Sequence, residues 1–262
     1  MIWLIFILVG VGAGLISGLL GVGGGTVIVP ALIVILSYIA NFPPDMIIKA
    51  AIATSFATMV FTTVNSVRVH HLKQAVRWDL VYKMLPGLLV GTFIGSLLVH
   101  KGESYSLQLL FSLFILFTGA RMLLQRKDDG KLAHHDINFR FFHSATLGIG
   151  FLSGLFGIGG GTFNVPNLHR RGLETIKAIA TSAAVGWPIA VVGCLVLLFK
   201  EPAEEIPLAF GYVYLPAFVG ISITSVLFSG VGARWAHRIP GHLLKTLFAL
   251  FLIAVGLRLL IK

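Results

Sequence analysis

Two segments of the chain share a glycine-rich motif whose residue types suit an anion-binding turn. Residues 14–30 read GLISGLLGVGGGTVIVP and residues 150–166 read GFLSGLFGIGGGTFNVP, so the glycine, serine, threonine and proline positions match without a gap. Glycine adopts backbone angles forbidden to other residues and lets a ligand approach the main chain closely. Because each glycine also costs about 1 kcal/mol of helix propensity, both triple glycines predict a break in a helix.

The residues after each break could begin a second, short helix. Thr26 and Thr162 are its predicted N-caps, and Pro30 and Pro166 stand where that helix loses a backbone donor or ends. Free N–H groups and the helix dipole make a helix N-terminus an anion site. Two such turns pointing inward would form an anion cradle. Its predicted substrate-binding glycines are Gly23, Gly24, Gly25, Gly159, Gly160 and Gly161, with Thr26 and Thr162 beside them.

Hydroxyl and amide side chains inside the apolar segments supply further hydrogen-bond donors. The similar segments KAAIATS and KAIATS repeat a threonine and serine pair in both halves, and two asparagines, Asn164 and Asn167, follow the second triple glycine. Donors without a fixed charge suit an oxyanion that must also be released. The side chains predicted to bind substrate are Thr54, Ser55, Asn65, Asn164, Thr181 and Ser182.

Several neighbouring polar residues have a structural interpretation instead. Ser17 and Ser153 lie in the helical part of the motif, and Thr58 and Thr62 follow Thr54 at spacings of four. Such hydroxyls usually bond back to the preceding helical turn. Asn65 lies on the same helix face, and an interhelical role is the alternative to substrate binding because a buried amide needs partners.

The positions of the acidic residues exclude one class of substrate. All ten aspartates and glutamates lie at connections or at the edges of apolar blocks, whereas cation transporters and proton antiporters normally use a buried carboxylate. The sequence therefore favours an anionic or neutral solute. Cys194 is the single cysteine of the sequence, which excludes multi-cysteine metal motifs. We expect neither a metal nor another cofactor.

Composition identifies the environment of these residues. The 262-residue chain is 56% apolar and 11% charged, with a mean hydropathy of +0.93. Its apolar blocks of about 20 residues match a hydrocarbon core about 30 Å thick. The formal net charge of +10 comes from residues between these blocks, which indicates topology and anionic lipid rather than nucleic acid. The fold class is an all-α polytopic membrane protein with about eight to ten hydrophobic segments.

The chain is a duplication with a polar centre. We predict a first repeat over residues 1–124, a cytoplasmic linker over 125–141 and a second repeat over 142–262. Each repeat comprises a glycine-turn helix hairpin and three transmembrane helices, which in the second repeat are expected at 177–199, 209–231 and 243–261. Four clusters hold 15 of the 20 lysines and arginines and should be cytoplasmic. Matching segments then cross in opposite directions, as in secondary transporters, and both termini are external.

The paired motif, followed in each half by an ATS segment, resembles the TauE/SafE sulfite exporter family, also called the toluene sulfonate uptake permeases. The resemblance covers nearly the whole chain. It implies a permease of the bacterial or archaeal inner membrane for sulfite, sulfonates, sulfoacetate or thiosulfate. The expected partners are a small anion and membrane lipid, with a homodimer left open.

Two other functions are alternatives to a permease. A passive anion channel of the same fold stays open as the alternative, because helix-terminus sites serve channels as well. An intramembrane serine hydrolase built on Ser17 or Ser153 is disfavoured, since Leu15 and Phe151 occupy the positions where glycine would be needed. The protein is therefore not expected to be an enzyme.

Overall fold

The computed structural model describes residues 2–21, 23–124, 139–236 and 241–261. Within these ranges the chain is helical, apart from connections and one strand pair. The first half contains α1 (Ile2–Leu20), α2 (Gly25–Leu36), a 3₁₀ turn (Pro44–Met46), α3 (Ile47–Leu72), α4 (Trp78–Lys101) and α5 (Ser104–Leu124). The second half contains α6 (Phe139–Phe156), α7 (Gly161–Arg170), α8 (Thr175–Leu198), β1 (Ala209–Phe210), β2 (Val213–Tyr214), α9 (Leu215–Trp235) and α10 (Gly241–Ile261).

The helices confirm an all-α polytopic membrane protein. Five spans in the described part of the chain are long and apolar enough to cross a bilayer. They are Ile2–Leu20, Pro44–Leu72, Trp78–Lys101, Thr175–Leu198 and Leu215–Trp235. Large apolar side chains such as Leu8, Phe93 and Leu227 are exposed on their outer faces, as expected where the surrounding solvent is lipid.

The predicted hairpin with an irregular turn is present in both halves. In the first half, α1 ends at Leu20 and α2 begins at Gly25. In the second, α6 ends at Phe156 and α7 begins at Gly161. The second arms contain 12 and 10 residues, which correspond to about 18 and 15 Å at 1.5 Å per residue. Neither second arm is long enough to cross a hydrocarbon core of about 30 Å. The position of the two turns at membrane depth stays a prediction.

The threonines predicted to cap α2 and α7 lie inside these helices instead. Gly24 is the N-cap of α2 and adopts a left-handed conformation, with φ of 80°. Its carbonyl accepts the N–H groups of Val27 and Ile28 at 2.9 and 3.0 Å. Gly160, with φ of 73°, has the same place before α7, and its carbonyl accepts the N–H groups of Phe163 and Asn164 at 3.1 and 2.7 Å. The prediction for Thr26 and Thr162 is therefore wrong by two residues, because a left-handed glycine precedes each helix.

Pro30 and Pro166 lie within α2 and α7 rather than at their ends. Of the two alternatives predicted for these prolines, the loss of a backbone donor is the observed one. Since proline has no N–H, the carbonyl of the residue four positions earlier loses its helical partner. That residue is Thr26 in the first half and Thr162 in the second.

The helices of the two halves interlock. α1 of the first half packs along α9 of the second, and α6 of the second half packs along α4 of the first. The pair α3 and α8 and the pair α5 and α10 also bring corresponding helices together. The main helix pairings therefore come in corresponding sets, as a duplicated chain requires. The direction in which each half crosses the membrane stays a prediction.

Two predicted boundaries need comment: those of the linker 125–141 and the start of the segment at residue 209. Of the predicted linker 125–141, residues 125–138 lie outside the described residues, and residues from Phe139 onward belong to α6. The segment expected to cross from residue 209 begins with the antiparallel pair β1 and β2, in which Ala209 pairs with Tyr214. Its helix starts at Leu215, with Pro216 in the first turn, where proline is well tolerated.

Glycines form the seams along which the hairpins pack on the opposite half. A Cβ atom built on Gly14 would lie 2.8 Å from the Ser225 Cα, and one built on Gly150 would lie 2.8 Å from the Leu88 Cα. Gly18 and Gly154 contact the same neighbouring helices, α9 and α4. These four glycines therefore have a packing role, because no side chain fits at either seam.

Candidate functional site

The two glycine turns lie against each other inside the protein. A Cβ built on Gly23 would lie 3.3 Å from the Gly159 Cα, and Gly25 contacts the Gly157 carbonyl. Gly186 of α8 lies alongside, with the position of its absent Cβ 3.1 Å from the Gly159 carbonyl oxygen. Glycine is required at Gly23 and Gly25, because a side chain at either position would separate the two turns.

The second turn gathers polar groups around Gly160, which has a φ of 73°. A Cβ at Gly160 would lie 2.9 Å from Asn164 Nδ2 and 3.5 Å from Ser153 Oγ. Both side chains are fully buried. The N–H groups of Gly161 and Thr162, at the start of α7, have no acceptor among the described residues. Amide, hydroxyl and main-chain donors therefore converge at one helix N-terminus.

Six polar side chains of the two hairpins and of α8 each have a buried polar atom without a hydrogen-bond partner in the described part of the chain. Leaving a buried polar group unsatisfied costs about 1–3 kcal/mol, so such a concentration of unused donors and acceptors indicates a place for a polar ligand. For Asn164 both the Nδ2 and the Oδ1 atoms lack a partner. The six residues are Ser17, Thr26, Ser153, Thr162, Asn164 and Ser182.

Ser17 and Ser153 were expected to bond back to the preceding helical turn, and that expectation is wrong. Their hydroxyls make no hydrogen bond to a described residue, although the side chains are 1% and 0% exposed. By contrast, Thr58 bonds back to the Thr54 carbonyl at 2.9 Å and Thr62 bonds back to the Thr58 carbonyl at 3.0 Å. Back-bonding is thus confirmed in α3 but not in α1 or α6.

Thr54 and Thr181 connect the two halves by capping helices. The N–H of Tyr214, the N-cap residue of α9, donates to Thr54 Oγ1 at 3.0 Å. The N–H of Arg77, the N-cap residue of α4, donates to Thr181 Oγ1 at 3.1 Å. The two bonds correspond in the repeat and satisfy backbone donors that a helix start leaves free. Substrate binding by these threonines stays a prediction.

Ser55 and Asn65 also have protein partners. Ser55 Oγ donates to the Gly157 carbonyl at 2.9 Å, so it supports the second turn. Its counterpart Ser182 has no hydrogen-bond partner within the described ranges. Asn65 Nδ2 donates to the Val226 carbonyl of α9 at 2.7 Å. The interhelical alternative for Asn65 is therefore the observed one.

The charged groups lie away from this cluster. In the described part of the chain, ion pairs join Arg77 to Asp79 at 2.7 Å and Lys177 to Glu174 at 3.1 Å. Both lie at helix starts, and their side chains are 41–63% exposed. Lys49 is buried near the start of α3 and donates to the His100 carbonyl at 3.3 Å. Within the described ranges, no three histidine, cysteine or acidic side chains come together as a metal site. The candidate site consists of neutral donors.

Comparisons with known proteins identify the family. The family model of the sulfite exporter TauE/SafE matches residues 6–259. The chain belongs to the TauE/SafE sulfite exporter family. It is 33% identical, over 261 residues, to a probable membrane transporter protein of Haemophilus influenzae, with 99% of this chain and 98% of that protein covered.

More distant relatives of this family member carry the same description. A probable membrane transporter protein of Methanocaldococcus jannaschii is 27% identical, over 98% of this chain and 95% of its own length. Another from Bacillus subtilis, YdhB, is 26% identical over 94% of this chain. No solved structure matches. These relationships place the chain among membrane transporters.

The polar side chains that lie at the glycine turns of this TauE/SafE protein are only partly those predicted from sequence. The structure places Asn164 and Ser153 beside Gly160, and the first triple glycine contacts the second. For Ser153 the interpretation favoured from sequence was back-bonding within its helix. The signal for Ser153 was its exact repetition as Ser17 in a motif where few polar residues occur. Thr54 and Asn65, by contrast, lie on faces of α3 that contact α9.

Proposed function

We propose that this protein is a secondary transporter of small sulfur-containing anions, such as sulfite, sulfonates, sulfoacetate or thiosulfate. The observation that supports it best is the pair of fully buried side chains, Asn164 and Ser153, that face the Gly160 turn without partners. Their amide and hydroxyl groups, with the free N–H groups of Gly161 and Thr162, suit an oxyanion. Sulfur is suggested by the family and not by the donors themselves.

The binding step follows from these donors. An oxyanion held against the α7 N-terminus would receive main-chain N–H bonds and the favourable end of the helix dipole. Hydrogen bonds to a charged group contribute about 1.5–3 kcal/mol each, so three or four of them offset much of the desolvation of the anion. Because none of these donors carries a full charge, the bound anion can leave when the surrounding helices rearrange.

Alternating access is the proposed mechanism. The two glycine turns meet between interlocked halves, and inverted repeats of this kind carry midplane sites in secondary transporters. Rocking of one half against the other would expose the turns to each side in turn. We further propose a location in the bacterial or archaeal inner membrane.

The proposed orientation has both termini outside and the central linker inside. We expect a cysteine at Ser104 to react with an impermeant maleimide added to sealed cells, and a cysteine at Gly130 to react only after permeabilisation. Both variants are made in a Cys194→Ser background, since Cys194 is the native cysteine. Equal labelling of the two positions in sealed cells would refute the orientation.

Ligand ranking tests the substrate class. Binding to the purified protein is measured by calorimetry for sulfite, sulfoacetate, thiosulfate, sulfate, phosphate and acetate. We expect the sulfur oxyanions to bind more tightly than acetate, because the converging donors match an oxygen-rich head. Accumulation of the best ligand against its gradient in vesicles would distinguish a carrier from a channel. Tighter binding of a divalent cation or a sugar than of every anion would overturn the proposal.

A further inference from the structure

The two glycine turns differ at one pair of corresponding positions in the repeat. Ser55 and Ser182 correspond in the two halves, so the residue four positions later is Met59 in α3 and Gly186 in α8. Met59 is fully buried. The repeat therefore has a long side chain at one turn and none at the other.

Met59 covers the first turn closely. A Cβ atom built on Gly23 would lie 3.0 Å from Met59 Cε, and one built on Gly25 would lie 2.9 Å from Met59 Sδ. Ser55 Oγ lies 3.7 Å from the same sulfur. The space beside the first triple glycine is thus filled by a thioether, which neither donates strong hydrogen bonds nor carries charge.

A second difference between the halves also makes the first turn less polar than the second. Asn164 of α7 corresponds to Ile28 of α2, and both side chains are fully buried. The first turn therefore has Met59 and Ile28 where the second has Gly186 and Asn164, whereas both hairpins contain the corresponding buried serine, Ser17 or Ser153. A charged oxygen placed at the first turn would lose water without gaining a side-chain donor from Met59 or Ile28, which is unfavourable.

We propose that Met59 determines specificity by closing the first turn to a second charged head. This inference rests on the proposed function. The substrate binds through one oxyanion head at the second turn, and its uncharged remainder lies toward Met59. The symmetric cradle expected from the duplicated motif is thereby reduced to a site for one head, and solutes with two anionic ends are rejected.

Two sulfonates of different valency test this assignment. Methanesulfonate has one charged head, and ethane-1,2-disulfonate has two. In the wild-type protein we expect methanesulfonate to bind at least tenfold more tightly, measured by calorimetry in detergent. Met59→Ala should lower that preference at least tenfold by making room at the first turn. The matched control Met59→Leu keeps the volume of the side chain and should retain the wild-type preference.

The reciprocal variant, Gly186→Met, gives an independent test if Met59→Ala fails to fold. A methionine at Gly186 should cover the second turn as Met59 covers the first, and should weaken methanesulfonate binding at least tenfold. Gly186→Ala is its control, because only the Gly159 carbonyl oxygen lies within 3.4 Å of the new Cβ position. An unchanged ratio in Met59→Ala, or unchanged binding in Gly186→Met, overturns the role of Met59. If the wild type binds no anion of either panel, the proposed function itself fails.

Discussion

Replacing Asn164 with leucine should reduce the affinity for the best-bound sulfur oxyanion by roughly tenfold to a hundredfold, the equivalent of about 1.5–3 kcal/mol. Leucine has nearly the shape of asparagine but cannot donate to an anion. Both polar atoms of the Asn164 amide lack a partner among the described residues, so the variant breaks no hydrogen bond seen in the structure. Calorimetric titration with sulfite or sulfoacetate measures the effect.

The same variant should be more stable than the wild type when no ligand is present. Removing a buried, unsatisfied amide relieves a desolvation penalty of about 1–3 kcal/mol. Weaker binding together with a higher melting temperature is characteristic of a ligand-binding residue and is the opposite of what a structural asparagine gives.

Asn65→Leu is the matched control. This amide donates to the Val226 carbonyl at 2.7 Å, so its removal should lower the melting temperature and leave anion affinity within about twofold, since less than 0.5 kcal/mol separates the two values. If Asn164→Leu binds the anion like the wild type, the candidate site is wrong. If both asparagine variants behave alike, Asn164 has only a structural role.

The predictable and unpredictable parts of this protein have different physical origins. The helices and the two hairpins follow from local sequence, because apolar blocks match the bilayer and three glycines break a helix. The start of α2 was displaced by two residues because main-chain geometry at Gly24 replaced the side-chain cap expected from Thr26. Capping by the main chain instead of by a side chain cannot be recognised from the residue types alone.

The roles of the polar side chains depend on contacts between the halves. Nothing near Thr54 in sequence indicates that the first turn of α9, some 160 residues away, supplies its N–H partner. Nor does the motif itself reveal that Met59, outside it, fills the space beside Gly23. A duplicated sequence favours a symmetric site, whereas packing at Met59, Gly186, Ile28 and Asn164 makes the two turns unequal.

A single methyl group at the glycine seams should destabilise the protein strongly, and this can be compared with a methyl group two residues away on the same helix. At Gly14 the new Cβ would lie 2.8 Å from the Ser225 Cα, whereas at Gly12 nothing lies within 4 Å. The second half offers the same comparison, with Leu88 beside Gly150 and open space at Gly148. In both pairs the substitution is chemically identical, so only the neighbouring helix differs.

Gly14→Ala and Gly150→Ala should each cost about 1–3 kcal/mol, the usual penalty for overpacking, because a backbone cannot move aside as a flexible side chain can. Gly12→Ala and Gly148→Ala should be neutral or stabilising by up to about 1 kcal/mol, since alanine is the better helix former. Melting temperatures of the four variants in one detergent measure the difference. Equal melting temperatures within either pair would mean that α1 and α9, or α6 and α4, do not pack as closely as the glycine seams require.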